Sequence, residues 1–163
     1  MAFVCPSMRS SNLGQTGRRL TNYQCYLAFY DFSAIQGKWI GRLGKLLGFS
    51  NVTHVAPIIC LPAQELEITI CTSTAKFHTH GELQRHGVKL IAKIDVGRHA
   101  LDINEVCQLA RDYTDSTGWD LVFHAFVGRW LGLTPPRQCV NFACRILGMP
   151  MAWHPATLYR RLT

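Results

Sequence analysis

One cysteine and one histidine have the clearest potential for chemistry in this sequence. Cys139 follows Pro135 and Pro136 and opens an apolar helical pattern, so we expect it in the first turn of a helix. Unpaired N–H groups and the positive end of the helix dipole stabilise a thiolate there and can hold an oxyanion. Cys139 is therefore a candidate nucleophile, although a thiol in an apolar helix is also an ordinary packing residue.

A thiol nucleophile needs a base within hydrogen-bond reach, and the chain offers seven histidines. His54 follows Thr53 and directly precedes the apolar run 55–59, which predicts a place at the start of a core strand. His54 is the candidate base, although a lone histidine at a strand end is also commonly structural. The other six fall in predicted polar loops, on a helix surface or at a helix start: His78, His80, His86, His99, His124 and His154.

The residue that orients the imidazole of such a pair usually comes from the next strand. The segment 66–72 offers Glu67, Thr69 and Thr72, of which Glu67 is the only carboxylate. Glu67 is therefore the predicted third member of the site, with a solvated surface glutamate as the alternative.

The spacing of hydrophobic residues predicts the strands and helices that would position these side chains. We expect strands over 23–32, 52–60, 66–72 and 88–96, and a basic amphipathic helix over 35–47 that packs on the core or lies on a membrane surface. Asp102 and Glu105 predict the start of a helix over 103–113. Further helices are expected over 121–130, from Pro135 to Gly148 and from Pro155. This order of elements predicts the α+β class.

Four of these segments together resemble the circularly permuted, NlpC-type branch of papain-like proteins. They are Tyr26-Leu27-Ala28-Phe29, Thr53-His54-Val55-Ala56, Gly118-Trp119-Asp120-Leu121 and Gln138-Cys139-Val140-Asn141-Phe142, followed by a closing Pro-Ala-Thr-Leu-Tyr helix. The resemblance covers residues 25–162 and implies an antiparallel sheet packed against helices. It also implies that Cys139 and His54 form the nucleophile and base pair. Val140 and Asn141 replace the usual small and acidic residues, and Pro57 interrupts the histidine strand.

Length and composition set the limits on organisation. With 163 residues, 48% of them hydrophobic and 17% charged, the chain predicts one folded domain over 23–163 preceded by a flexible basic arm over 1–22. No stretch is apolar enough for a membrane helix, and the amino terminus lacks a signal-peptide pattern. Seven cysteines without a CxxC pair indicate free thiols in a cytoplasmic or otherwise reducing compartment.

Two function classes follow from these observations. The first is a thiol hydrolase or acyltransferase that needs no cofactor and acts on a peptide, peptidoglycan or acyl-lipid substrate. The second is an inactive papain-like module whose net charge of +7, with Arg18, Arg19, Arg160 and Arg161, binds an anionic partner, which is nucleic acid, a membrane surface or a protein. A zinc site at Cys71, His78, His80 and His86 is the weaker metal alternative, because it lacks paired ligand spacing.

Overall fold

The computed structural model of the protein describes residues 20–31, 50–70, 75–113, 127–128, 130–132 and 138–163. Within these residues the strands are β1 (Thr21–Asp31), β2 (His54–Cys60), β3 (Glu65–Ile70), β4 (Ala75–Thr79) and β5 (Lys89–Leu101). The helices are α1 (Glu82–Arg85), α2 (Ile103–Asp112), α3 (Cys139–Ile146) and α4 (Pro155–Leu162).

The five strands form one antiparallel sheet in the order β4-β3-β2-β1-β5. β1 lies between β2 and β5 and pairs with β2 from Cys25–Ile59 to Tyr30–His54 without interruption. On its other side β1 pairs with the longer β5. This pairing has two register shifts, one between Cys25 and Tyr26 and one between Phe29 and Tyr30. Gly97 lies at one of these shifts with φ 85°, a backbone conformation that favours glycine.

The first face of the sheet carries most of the core. Leu27, Phe29, Val55, Ile59 and Ile68 are fully buried there against residues of α2, α3 and α4. Aromatic edge contacts tie these layers together, with ring centroids 5.2 Å apart for Phe29–Tyr159 and 5.6 Å apart for Tyr113–Phe142. We call this set the first cluster. It fixes α3, and therefore the residues that open it, against β2 and β3.

The second face carries a separate group, the second cluster. It consists of Ala28 and Tyr30 of β1, Ala56 and Ile58 of β2, and Leu83 and Val88 from the segment around α1. Strand residues alternate between faces, so directly paired residues share a face. This rule assigns His54 to the second face, because its partner is Tyr30.

Most of the predicted elements are confirmed. β1, β2, β3, α2 and α4 lie within a few residues of the expected ranges, and the α+β class is confirmed at the level of an antiparallel sheet with helices. The helices predicted over 35–47 and, for the most part, 121–130 lie outside the described residues, as do residues 1–19 of the predicted arm. The Pro135–Pro136 pair and the Gly118–Leu121 segment lie outside them too.

The region after β3 differs from the prediction. β4 and α1 form where polar loops were expected, and β5 extends to Leu101. The placement of His78 and His99 in loops was therefore wrong, since His78 lies in β4 and His99 in β5. β4 has alternating polar residues because it is an edge strand and only half-buried.

Pro57 shapes the centre of the sheet without interrupting β2. The strand runs through it and pairs with β1 on both sides of it. Pairing with β3 runs only from Cys60–Glu65 to Ile58–Glu67 in the part of the chain that the structure describes. Proline has no N–H to donate to a neighbouring strand, which explains why the pairing of β2 with β3 ends beside Pro57.

The ends of the helices follow the sequence closely. Asp102 caps α2 by accepting from the backbone N–H groups of Asn104 (2.9 Å) and Glu105 (3.4 Å). Gly148 follows the C-cap residue Leu147 and closes the end of α3: the Met149 N–H donates to the Cys144 carbonyl at 2.8 Å, and the Gly148 N–H donates to the Arg145 carbonyl. Gly148 has φ 63°, a left-handed backbone conformation that favours glycine and that allows both of these hydrogen bonds to form.

The Asp102 cap should contribute measurably to stability. Replacing Asp102 by Ala leaves two helix N–H groups without their acceptor, and we expect the free energy of unfolding to fall by about 1 kcal/mol. Urea denaturation followed by circular dichroism measures this difference. Asn104→Ala, a change at an exposed residue of the same turn, is the matched control and should alter stability by less than about 0.5 kcal/mol. Equal losses in both variants would contradict the capping role.

Candidate active site

Cys139 is the first residue of α3, in agreement with its predicted first-turn position. Its side chain is half-buried and packs against the edge of the first cluster. The other half-buried thiol among the described residues is Cys60, while Cys25, Cys107 and Cys144 are buried. Cys139 thus combines partial exposure with a helix N-terminus.

The start of α3 is held without a side-chain cap. Gln138 has extended backbone geometry and accepts the first helical bond from the Phe142 N–H at 3.0 Å. Its side-chain amide donates instead to the Trp153 carbonyl, 3.2 Å away, which ties the helix start to the segment before α4. No acidic side chain occupies the first turn. The positive end of the α3 dipole is therefore not offset by a carboxylate within that turn.

The surroundings of Cys25, Cys60 and Cys144 oppose ionisation. Burial raises the pKa of Cys25 to about 11, with a smaller contribution from the nearby Cys60 thiol. Burial also raises the pKa of Cys144. At Cys60, burial and then the charge of Glu65 raise the pKa. These three cysteines are packing residues, and the prediction that most thiols are buried holds for the described chain.

His54 is the first residue of β2, as predicted, and is only 3% exposed. The residue before it is anchored, because the Thr53 N–H donates to the Tyr30 carbonyl at 3.0 Å and its hydroxyl donates to the same oxygen. Burial lowers the pKa of His54 to about 4. The imidazole is consequently neutral at physiological pH and has a fixed backbone.

The two candidate residues approach β2 from different sides. α3 packs on the first face, through contacts that include Val55 and Ile59, whereas strand alternation directs His54 toward the second face. His54 is also the terminal residue of the strand. Any contact between the Cys139 sulfur and the imidazole must therefore be made around the end of β2 rather than across the sheet.

Glu67 is fully buried in β3, which differs from the solvated glutamate considered as its alternative. It pairs with Ile58 on one side and His78 on the other, so it lies on the same face as His54. Its carboxylate oxygen Oε2 lies 3.1 Å from His80 Nδ1. The third-member role of Glu67 stays a prediction, since the contact described for its carboxylate is with His80.

Sequence reasoning missed Tyr30 and His80 as members of this polar group. Burial, then hydrogen bonding to Glu67 and the charge of Glu67, raise the pKa of the Tyr30 hydroxyl well above its ordinary range. His80 was expected as an exposed loop imidazole, but its side chain is only 17% exposed. Thr69 adds a buried hydroxyl on the same face of β3. The sequence signal for this group was Glu67 itself, the only carboxylate of the strand predicted over 66–72.

Cys71 of the zinc alternative lies outside the described residues, and the imidazoles of His78 and His80 have different neighbours. His78 lies 3.4 Å from Glu82, and His80 faces Glu67, so the two imidazoles have separate carboxylate partners. Among the residues that the structure describes, no group of three or more potential ligands is arranged to hold a metal ion. Arg160 and Arg161 donate to backbone carbonyls, Arg160 to Ala156 at 3.2 Å and Arg161 to Met151 at 3.1 Å.

Comparison of the chain with family models, with curated proteins and with solved structures finds no match. Across the described helices, none has the length and apolar character needed to cross a membrane. The site is therefore interpreted from its own residues.

The low pKa of His54 links stability to pH. The unfolded imidazole takes up a proton near pH 6.5, whereas the folded one does so only near pH 4. The unfolded state binds more protons between these values, so stability is complete above 6.5 and falls as the pH drops toward 4. We expect this group to remove about 3 kcal/mol of stability by pH 4.

Urea denaturation between pH 4 and 7 tests this linkage. His54→Gln cannot protonate, so its stability should fall less steeply over that interval than that of the wild-type protein. His86→Gln, at an exposed histidine of the α1 segment, is the control and should keep the wild-type slope. A His54→Gln variant with an unchanged slope would show that burial does not hold His54 neutral.

Proposed function

We propose that the protein is a thiol hydrolase or acyltransferase in which Cys139 is the nucleophile and His54 the base. The observation that supports this function most is the half-buried thiol on the first residue of α3, at a helix start without a side-chain cap. Partial exposure lets an electrophile reach the sulfur, and the helix N-terminus favours the thiolate.

The reaction would proceed through an acyl-enzyme. A neutral ring nitrogen of His54 takes the thiol proton, and the sulfur of Cys139 attacks the carbonyl carbon of an amide, ester or thioester. Backbone N–H groups in the first turn of α3 stabilise the resulting oxyanion. His54 returns the proton to the leaving group as the carbon–heteroatom bond breaks, and water or an acceptor then releases the acyl group.

The electrostatics of both residues support this division of roles. His54 is neutral above about pH 4 because it is buried, and only the neutral imidazole can accept a proton. The same burial disfavours an isolated imidazolium, so the protonated state must be stabilised by the thiolate formed beside it. The pair is thus expected to transfer its proton during the reaction rather than to rest as an ion pair.

The fold that we propose for this chemistry is a permuted papain-like one. The antiparallel sheet, the histidine at the start of the second strand and the late cysteine helix occur in the order that the resemblance implies. Peptide, peptidoglycan and acyl-lipid carbonyls are the candidate substrates. The excess of basic residues, +7 overall, favours a substrate carried on an anionic polymer or surface.

Alkylation of the native protein with iodoacetamide tests the proposed pair. Mass spectrometry of the digested protein gives a separate rate for each thiol between pH 5 and 9. We expect Cys139 to be the fastest-reacting thiol at pH 7. His54→Ala should slow the alkylation of Cys139 at least about tenfold, because a general base typically accelerates a reaction by about 10²–10⁴-fold.

Cys60 provides an internal control within the same digest. It is also half-buried, but burial and Glu65 raise its pKa, so it should react slowly in both proteins. Cys139→Ser should leave the Cys60 rate unchanged. Equal rates for Cys139 and Cys60, or a Cys139 rate indifferent to His54→Ala, would contradict the function and favour a binding module.

A further inference from the structure

An exposed apolar turn lies in the chain between α2 and α3. The Leu131 N–H donates to the Val127 carbonyl at 3.0 Å, which closes one helical turn, and Gly132 follows with φ 65°. Residues i, i+3 and i+4 of a helical turn lie on one side of it, so Val127, Trp130 and Leu131 form one patch. We call this patch the apolar turn. Trp130 is 92% exposed and Leu131 63%, and Val127 is exposed as well.

The apolar turn belongs to a part of the chain that has no acidic residue. From 121 to 163 the sequence contains five arginines and no lysine, aspartate or glutamate. These residues, which we call the cationic segment, therefore contribute +5 to the net charge of +7. Among them, Arg145 in α3 and Arg160 and Arg161 in α4 are exposed. Most of the excess positive charge thus comes from about a quarter of the chain.

Exposed apolar side chains are concentrated in the same segment. Five large hydrophobic side chains are exposed among the described residues, of which Leu20 lies outside the cationic segment and four lie within it: Val127, Trp130, Leu131 and Met151. Arg161 lies beside Met151, because its guanidinium donates to the Met151 carbonyl at 3.1 Å. Positive charge and exposed apolar area therefore occur together rather than on separate parts of the chain.

This combination fits the surface of an anionic membrane. Tryptophan is favoured at the level of the lipid headgroups, because its ring is apolar and its N–H can donate a hydrogen bond. Leu131 and Met151 gain free energy when they leave water for the acyl boundary. Each arginine near an anionic surface raises the affinity about fivefold. Nucleic acid could stack on Trp130, but it offers no comparable environment to the two aliphatic side chains.

We propose that the cationic segment binds an anionic lipid surface, with the apolar turn entering the headgroup region and Arg145 and Arg161 attracted to the lipid phosphates. This interaction goes beyond the proposed function, since it holds whether or not Cys139 is a nucleophile. Cys139 opens α3 within the same segment. A bound protein therefore carries its candidate nucleophile in the part of the chain that meets lipid, which favours acyl-lipid carbonyls among the candidate substrates.

Co-sedimentation of the full chain with unilamellar vesicles tests this surface. Vesicles of phosphatidylcholine mixed with phosphatidylglycerol are compared with vesicles of phosphatidylcholine alone, at low and at high salt. We expect binding to the mixed vesicles that weakens about tenfold or more at high salt, as salt screens the arginines. Equal binding to the neutral vesicles, or no binding to the mixed ones, would overturn the proposal.

The apolar turn is tested by single truncations. Trp130→Ala should weaken binding to the mixed vesicles about tenfold and Leu131→Ala about fivefold, because each removes apolar area that leaves water on binding. Leu20→Ala is the matched control, since it truncates an equally exposed leucine outside the cationic segment. Leu20→Ala should leave the affinity unchanged. An effect as large as that of Leu131→Ala would contradict a specific role for the apolar turn.

The charge of the segment is tested by paired substitutions. The double variant Arg145→Gln/Arg161→Gln should bind the mixed vesicles at least about tenfold more weakly than the wild-type protein. Arg85→Gln/Arg98→Gln removes the same charge from exposed positions in α1 and β5 and should change the affinity less than about twofold. Equal losses in the two variants would show that net charge alone determines binding.

Trp130 also reports on the kind of partner. Lipids with brominated acyl chains quench tryptophan that enters the membrane, so quenching of the wild-type protein should be largely lost in Trp130→Phe. Circular dichroism checks that each variant is folded. Binding of a single-stranded oligonucleotide that requires Trp130, without vesicle binding, would overturn the proposal and identify nucleic acid as the partner.

Failure of this surface and failure of the proposed function give different results. The iodoacetamide reaction contains no lipid, so Trp130→Ala should alkylate at Cys139 at the wild-type rate. If Cys139 reacts rapidly and depends on His54 but no variant alters vesicle binding, the function stands and the surface fails. If vesicle binding depends on Trp130 and Arg161 while Cys139 reacts no faster than Cys60, the surface stands and the function fails.

Discussion

The uninterrupted pairing of β1 with β2 is the constraint on which the candidate site depends. It places His54 opposite Tyr30 and fixes both on one face of the sheet, while Phe29 and Val55 hold the other face against the helices. A shift of one residue would exchange these faces and bury a different set of side chains. The neutrality of His54 and its polar neighbours both follow from this register.

The sheet divides its two faces between different tasks. The first face is apolar and carries α2, α3 and α4, which accounts for the rigid placement of Cys139. The second face combines small apolar side chains with buried polar ones, among them His54, Glu67 and Thr69. Burying a carboxylate and a histidine costs stability unless partners compensate for it, so a group of this kind is a candidate for function.

The sequence was informative wherever a local pattern decides the structure. The Asp102 cap, the start of α4 at Pro155, the Gly148 helix end and the place of His54 at the start of a strand were predicted from short patterns. β4 was missed because an edge strand needs few β-branched residues, and its polar side chains resemble those of a loop. The burial of Glu67 was beyond reach because β3 lies between β2 and β4 in the sheet and His80 contacts its carboxylate, and sequence patterns connect neither to it. Its neighbours arise from strand order, a long-range property.

We propose that the sulfur of Cys139 and the imidazole of His54 meet around the end of β2. A crystal structure of the protein with Cys139 alkylated by a peptide chloromethyl ketone measures this most directly. We expect a ring nitrogen of His54 within about 4 Å of the modified sulfur. A His54 ring enclosed on the second face between Ala28 and Ile58, with the sulfur on the far side of the sheet, would contradict it.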